Sequence, residues 1–336
     1  MQKIIFRIGF ILFLIAIALY FISAQFSITD LIYPVKIDSA YMHNEQLQYE
    51  KELSEGKTKS GKIFLYNPSQ FGLISEDISI RTNDNITLKG WYITDSTVTS
   101  GTTLILIPDL KESKFNYIAT ASELVARGIH VCIIDMRAQG ESEGRNYTMG
   151  KIVSEDISII IDSLISKYKT ENIIMMGNGT GAAIAIQSCI SEKRIKVMIS
   201  QNSFLSLNDY LEKYSEEKYG RFSKLFFKRM KKDLEEEMQF SADSLNLLEF
   251  VNCIEIPSLF ITNISENYLD YKSTGKLFNE SVASKKEWKV FKNIIQDEKN
   301  LEEKKKYYDK IASFINSNIP KKKKQSKFKK LVLLHS

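Results

Sequence analysis

Histidine is scarce in this sequence, and the scarcity limits its chemistry more than any other feature of its composition. The 336 residues include three histidines, His43, His130 and His335. Imidazole is the usual general base and the commonest metal ligand near neutral pH. A mechanism that needs a histidine can therefore draw on few positions, and no two of the three stand at the spacing of a helical zinc motif.

Cysteine is nearly as rare. Cys132, Cys189 and Cys253 are widely separated and odd in number, which argues against both a disulfide framework and a cysteine metal cluster. We interpret them as small core residues. A Gly-Lys-Ser/Thr phosphate loop is also missing, and residues 177–181 lack the third glycine of a dinucleotide fingerprint. We therefore expect no cofactor and no bound metal.

The net charge of +5 comes largely from one end of the chain. Seven lysines lie in residues 321–330, beginning with Lys321 and ending with Lys330. Without them the chain is close to neutral, so we expect no nucleic-acid partner. We interpret residues 319–336 as a basic tail, which either contacts anionic lipid or serves as a solubilising end.

A long uncharged segment stands near the N-terminus. Residues 8–24 contain no charge and follow Lys3 and Arg7. This pattern predicts a membrane anchor in residues 1–25, with residues 4–24 in the bilayer, the N-terminus in the cytoplasm and the globular part outside it. The alternative is a signal peptide cleaved after Ala24, which would give a secreted form. Residues 26–61 then form a stalk, with a short helix predicted near residues 44–55.

Residues 62–318 alternate between apolar strands and helices. A hairpin is predicted over residues 76–93, followed by strands at 102–107, 130–135, 172–176, 196–200, 258–262 and 288–291. Helices at 116–127, 154–167, 182–191 and 305–316 separate most of them. This order predicts an α/β fold with a mostly parallel, twisted sheet and helices on both faces. Residues 207–248 interrupt the alternation and are predicted to be a helical cap or a solvated helix pair.

Three short motifs resemble the α/β-hydrolase superfamily, in particular its bacterial serine-hydrolase and dipeptidyl-peptidase-like branch. They are TNDNITLKGW at residues 82–91, DMRAQGESEG at 135–144, and Ile256-Pro257 before an apolar strand. The resemblance covers about residues 62–317 and implies an α/β-hydrolase fold. It also implies a serine on a tight strand-to-helix turn, a histidine base and an acid.

The turn that should carry the nucleophile lies in IIMMGNGTGA, residues 173–182. Its flanking glycines are Gly177 and Gly181, and the nucleophile position is Gly179, which has no side chain. A literal G-x-S-x-G stands elsewhere, at residues 140–144. Its serine, Ser142, does not lie between a buried strand and a helix, so we interpret it as part of a structural turn.

The other parts implied by the resemblance are altered as well. The loop where the histidine is expected, residues 292–300, contains none, and Glu266 is left as a residual acid. Pro108 and Asp109 replace the His-Gly of the oxyanion loop. Proline has no N–H to donate, and a carboxylate repels a developing oxyanion.

The sequence therefore predicts a membrane-tethered, catalytically inactive hydrolase-like protein that acts as a binding or interaction module. One alternative is an active serine hydrolase, acting on ester or peptide bonds, with a rearranged site that uses Ser113, Ser142 or Ser203. A second alternative is an envelope scaffold without a ligand.

Overall fold

A computed structural model describes residues 2–58, 64, 66–96, 98, 100–264, 271–292 and 301–320, without the side chains of residues 2, 3, 16, 18–27, 30, 151 and 271. Within this part of the chain, eight strands form one sheet in the order β1-β2-β4-β3-β5-β6-β7-β8. The strands are β1 (Ile74–Arg81), β2 (Thr87–Thr94), β3 (Thr102–Ile107), β4 (His130–Asp135), β5 (Asn172–Asn178), β6 (Ile195–Gln201), β7 (Ser258–Asn263) and β8 (Lys286–Phe291).

Helices connect most of these strands. The described helices are α1 (Gln2–Ile32), α2 (Ser39–Ser54), α3 (Ile118–Val125), α4 (Lys151–Tyr168), α5 (Thr180–Ser191), α6 (Leu207–Tyr219), α7 (Ser223–Met238), α8 (Leu247–Val251), α9 (Tyr271–Glu280) and α10 (Leu301–Asn318). Each predicted helix corresponds to one of them. The sequence analysis missed α9.

The sheet is buried on both faces, as the continuous apolar strands predict. All six residues of β3 are buried. Leu104 and Leu106 belong to the core cluster on one face, while Ile105 and Ile107 belong to the cluster on the other. Strands β3 to β8 pair in parallel, whereas β2 is antiparallel to both β1 and β4. The predicted fold class, a mostly parallel sheet with helices on both faces, is confirmed.

Residues 207–248, expected to form a cap, contain α6, α7 and α8. Helix α6 buries Leu211 and Tyr214, and α7 buries Met230 and Leu234. These four side chains join the core cluster of the sheet face that α4 and α5 cover. The polar faces of α6 and α7 remain at the surface, so the two helices pack on the domain as an amphipathic pair.

The N-terminal region packs against the cap. Ile28, Leu31 and Ile32 form one apolar face at the end of α1 and are buried in the same core cluster as the cap residues. The backbone N–H of Tyr147 donates to the carbonyl of Ile32 at 2.7 Å. The beginning of the segment expected to be a stalk therefore lies on the domain, because its apolar residues recur at helical spacing.

Within the described part of the chain, no helix has both the length and the apolar character needed to cross a membrane. The membrane anchor over residues 4–24 stays a prediction.

A buried arginine joins the first hairpin to helix α4. Arg137 donates to Asp156 on α4 at 2.6 and 2.8 Å and to Asp84, in the β1–β2 turn, at 2.6 and 2.7 Å. The side chains of Arg137 and Asp156 are almost fully buried, whereas that of Asp84 is 47% exposed. Hydrogen bonds from Arg137 hold the pKa of Asp84 well below its usual range.

We expect Arg137→Met to lower the free energy of unfolding by about 3 to 5 kcal/mol, because it leaves the buried carboxylate of Asp156 without its partner. Urea denaturation measures this change. As a control, Asp84→Asn should cost less than about 1 kcal/mol, since that carboxylate is partly solvated. Adding Asp156→Asn to Arg137→Met should recover part of the lost free energy of unfolding. Equal losses in Arg137→Met, Asp84→Asn and the double variant would contradict this account.

Candidate functional site

The strand-to-helix turn after β5 has the tight geometry that its glycines predict. Gly179 stands between β5 and α5 with φ +54° and ψ −115°, a conformation that side chains with a Cβ adopt only under strain. A Cβ on Gly177 would lie 2.0 Å from the carbonyl oxygen of Gly181. A Cβ on Gly181 would lie 2.3 Å from the carbonyl oxygen of Ile107. Helix α5 therefore packs directly on the sheet, and glycine is required for that contact.

The carboxylate of Asp109 occupies the space in front of this turn. In the β3–β5 pairing, Ile107 lies opposite Gly177, which brings Asp109 beside Gly179. A Cβ on Gly179 would lie 2.4 Å from the carboxyl carbon and both carboxylate oxygens of Asp109. A side chain at the nucleophile position therefore has no room unless Asp109 moves.

Backbone N–H groups hold the Asp109 carboxylate there. Its Oδ1 accepts from the backbone N–H of Thr180 at 2.8 Å, from the Thr180 hydroxyl at 2.9 Å and from the backbone N–H of Leu110 at 2.8 Å. In a nucleophile turn of this kind, the N–H after the nucleophile and an N–H from the loop after β3 bind the developing oxyanion. Here the two corresponding groups, on Thr180 and Leu110, already bind a carboxylate.

A second carboxylate lies next to the first. Glu112 accepts from the backbone N–H of Asp109 at 3.3 Å, from the amide of Asn178 at 3.4 Å and from the hydroxyl of Tyr117. Burial raises the pKa of Glu112, and the negative charge of Asp109 raises it further. Burial and the adjacent Glu112 also raise the pKa of Tyr117. The two neighbouring carboxyl groups, Asp109 and Glu112, can thus hold a proton between them at pH values where exposed carboxylates are ionised.

Amide side chains line the same edge of the sheet beyond β5. The backbone N–H of Asn263, at the end of β7, donates to Asn202 Oδ1 at 2.7 Å. Asn202 has φ +51° and approaches Asn178 at 3.5 Å. Within the part of the chain that the structure describes, the buried side-chain N and O atoms of Asn263 have no hydrogen-bond partner. The predicted residual acid, Glu266, and residues 293–300 of the loop expected to carry a base lie outside the described residues.

His130 lies at the opposite edge of the sheet, at the amino end of β4. Its Nδ1 is 2.7 Å from the Thr94 hydroxyl and its Nε2 is 2.9 Å from the Ser100 carbonyl. Its ring stacks on Tyr92, and burial lowers its pKa. Parallel strands separate this imidazole from the turn at Gly179, so it does not meet the groups described above.

The three serines considered as alternative nucleophiles are all buried. Ser142 donates to the carbonyl of Asp135 at 2.5 Å and accepts from the N–H of Lys89 at 2.8 Å, so it ties a turn to β2. Ser203 donates to the carbonyl of Phe204 at 3.4 Å. In the described residues, the hydroxyl of Ser113 has no hydrogen-bond partner.

A cavity of about 380 Å³ lies beside the loop that carries Asp109. Tyr33, Val35, Ile37, Tyr41 and Lys111 line it. Lys111 follows Asp109 by two residues, and its ammonium lies 5.9 Å from the ring centre of Tyr214 on α6. The segment after α1, the loop after β3 and the cap therefore meet here. The sequence analysis missed this cavity, because its wall is contributed by segments distant in the chain.

The raised pKa of Glu112 predicts a pH-dependent contribution to stability. Between the unfolded-state pKa of 4.5 and the higher native-state pKa, Glu112 is protonated in the native state and ionised in the unfolded chain. The contribution of Glu112 to the free energy of unfolding therefore falls as pH rises through this range. Glu112→Gln keeps the acceptor oxygen and removes the charge. We expect the variant to be more stable than the wild type at pH 8, with the difference disappearing near pH 4.

Thermal unfolding across this pH range measures the effect. Glu280, an exposed carboxylate on α9, is the matched control, and Glu280→Gln should leave the pH curve unchanged. A Glu112→Gln curve parallel to that of the wild type would show that Glu112 titrates as an ordinary carboxyl group.

Comparison with known proteins adds to this geometry. The family model of the serine aminopeptidases, S33, matches residues 100–248. The α/β-hydrolase domain-containing protein WAV2 of Arabidopsis thaliana is 26% identical over 156 residues, which cover 44% of this chain and 49% of WAV2. The chain thus matches about half the length of that relative. Protein bem46 of Schizosaccharomyces pombe is 21% identical over 287 residues, covering 83% of this chain and 87% of bem46.

Solved structures show the same architecture. An esterase of Pyrococcus furiosus superposes with a TM-score of 0.61 at 20% identity, covering 77% of this chain and 97% of the esterase. An acylaminoacyl peptidase of Pyrococcus horikoshii superposes with a TM-score of 0.56 at 13% identity, covering 77% of this chain and 44% of the peptidase. At these identities the likeness concerns the fold.

Proposed function

Because the chain belongs to the α/β-hydrolase superfamily, we propose that it keeps the fold of a hydrolase and uses it for binding instead of hydrolysis. The observation that carries this proposal is the Asp109 carboxylate, which accepts the N–H of Thr180 in front of Gly179. Acyl transfer needs a nucleophilic side chain at Gly179 and N–H donors that are open to the substrate oxygen. Neither requirement is met.

The known energetics of such sites support this reading. Loss of a single oxyanion-hole donor costs about 100- to 1,000-fold in turnover, and loss of the nucleophile alone costs about a million-fold in a well-studied triad. A fixed negative charge at the oxyanion position adds repulsion to the developing charge. These losses act on the same step, so the residual rate approaches that of the uncatalysed reaction.

An active hydrolase with a rearranged site finds less support. Each alternative serine is buried, and Ser142 is committed to backbone hydrogen bonds on both sides. In the described residues, none of the three serines has a histidine among its hydrogen-bond partners. A serine without a base remains a weak nucleophile near neutral pH.

The cavity beside Lys111 is the binding site that we propose. Its volume of about 380 Å³ falls in the range of small-molecule sites, and apolar and aromatic side chains make up most of its wall. Of the described residues that line the cavity, Lys111 alone is charged. The ligand class that fits this wall is an apolar molecule with a single anionic end. An envelope scaffold without a ligand has no use for such a cavity.

We also propose that residues 4–24 tether the protein to a membrane, with the globular part outside the cytoplasm. Support comes from the first half of α1, where eleven large apolar side chains are more than one-third exposed. The exposed side chains are Ile4, Ile5, Phe6, Ile8, Phe10, Ile11, Leu12, Phe13, Leu14, Ile15 and Ile17. Soluble proteins rarely expose a continuous apolar surface of this size.

The basic tail from Lys321 to Lys330 lies outside the described residues and stays a proposed lipid contact.

We expect no serine of the full chain to react stoichiometrically with a fluorophosphonate probe, and no hydrolysis of short acyl esters above background. A thiol placed at the turn tests the geometry directly. In Gly179→Cys, the Asp109 carboxylate blocks the thiol and disfavours its thiolate. Adding Asp109→Ala removes both effects and should speed alkylation of this cysteine by iodoacetamide at least about tenfold.

Mass spectrometry of the peptide that contains residue 179 gives the rate in each variant. The exposed Cys253 reports ordinary thiol reactivity in the same samples and serves as the internal control. Stoichiometric labelling of any wild-type serine would overturn the proposed loss of hydrolysis. Equal alkylation rates in the single and double variants would contradict the role given to Asp109.

The ligand class predicts a measurable stabilisation. Octanoate at about ten times its dissociation constant should raise the midpoint of thermal unfolding by roughly 2 °C, because a ligand that binds the native state alone stabilises it by mass action. Octanol, which lacks the anionic end, should give a smaller shift. Lys111→Met should remove the difference between the two compounds. Lys193 is an exposed lysine on the opposite edge of the sheet, and Lys193→Met should retain the difference between octanoate and octanol. Identical shifts for the two compounds in the wild type would contradict the role of Lys111.

A further inference from the structure

The tip of the cap exposes apolar and basic side chains together. We define the cap tip as residues 220–228, which form the turn between α6 and α7 and the first two turns of α7. Phe222 is 55% exposed and Leu225 is 58% exposed. Arg221, Lys224 and Lys228 are exposed beside them. Positions 221, 224, 225 and 228 follow helical spacing and lie on one stripe.

The basic side chains of this stripe are not neutralised by ion pairs. Among the described residues, no carboxylate lies within ion-pair distance of Arg221, Lys224 or Lys228. The guanidinium of Arg221 lies 5.1 Å from the ring centre of Phe222 instead. Lysines farther along α7 differ, since Lys231 and Lys232 pair with carboxylates one turn away. Positive charge is thus concentrated at the tip.

Helix α1 places this tip near the proposed membrane segment. The hydroxyl of Tyr33, just after α1, donates to Glu237 near the end of α7, and the two helices pack against each other. Both helices therefore extend from this shared end in the same general direction. The beginning of α7 lies about 21 Å from Glu237 along the helix axis.

The same length along α1 reaches about position 19, and for two helices packed at the common crossing angle of about 50° this level would be near position 24. We therefore expect the cap tip near the outer end of the segment proposed to enter the bilayer, residues 4–24. Basic and apolar side chains at that level meet the headgroup region. Lysine and arginine side chains near an anionic surface are attracted to it, and exposed Phe and Leu side chains insert at the boundary with the acyl chains.

We propose that the cap tip is a second membrane contact that binds anionic phospholipid headgroups. The inference rests on the proposed tether, because α1 is what brings the tip to the surface. Two contacts on one bilayer fix the orientation of the domain, whereas a single helix leaves it free to rotate. The cavity lined by Tyr33 and Lys111 is then held about 14 Å above the headgroups, nine residues along α1 from position 24.

A fluorescent probe at the tip tests this contact in the full chain. Phe222→Cys in a Cys253→Ser background is labelled with an environment-sensitive nitrobenzoxadiazole group, since Cys132 and Cys189 are buried. The protein is reconstituted in lipid nanodiscs of phosphatidylcholine, with or without phosphatidylglycerol. In discs that contain phosphatidylglycerol, we expect several-fold brighter, blue-shifted emission that spin-labelled lipid quenches. The same probe at Lys193→Cys, on the opposite edge of the sheet, should remain in water.

Charge reversal supplies the second arm. Arg221→Glu, Lys224→Glu and Lys228→Glu together should return the probe at position 222 to water while the chain stays in the disc. A wild-type chain that enters discs with its cap probe in water overturns the cap contact and leaves the tether intact. Equal insertion with and without phosphatidylglycerol, or insertion that survives charge reversal, overturns the headgroup recognition. A chain that enters neither disc contradicts both the tether and the cap contact.

Discussion

The hydrogen bond from the Thr180 N–H to the Asp109 carboxylate is the interaction on which the character of this site depends. The amino end of a helix favours negative charge, and α5 presents its first N–H groups at the turn because its glycines allow it to pack directly on the sheet. In a working hydrolase that charge appears during the reaction. Here the same N–H groups bind the side-chain carboxylate of Asp109 in the native structure.

The surrounding polar groups follow from this choice. Burial, and after it the neighbouring Asp109 carboxylate, raise the pKa of Glu112, so folding favours its protonated form. Tyr117 and Asn178 donate hydrogen bonds to Glu112. The cavity that we propose as the binding site lies beside these groups, and apolar side chains and Lys111 line it.

The cap and the N-terminal helix form a second unit. The end of α1 is buried against α7 by an apolar face, and the Tyr33–Glu237 hydrogen bond closes that contact. The cap therefore rests on two supports, the sheet domain beneath it and α1 beside it. This arrangement couples the position of the cap to that of the N-terminal segment, and it places the cavity where the two units join.

The sequence by itself determined the order of the strands and of most helices, the glycine at position 179 of the strand-to-helix turn and the structural context of Ser142, because apolar period and glycine spacing are local properties. Only the tertiary structure decided where the Asp109 carboxylate goes. Asp109 and Thr180 are 71 residues apart, and the register that sets Ile107 opposite Gly177 brings them together. The cavity and the docking of α1 also escaped prediction, since both depend on surfaces contributed by segments distant in the chain. Local pattern specifies elements, whereas the pairing of buried polar groups is set by the packing of those elements.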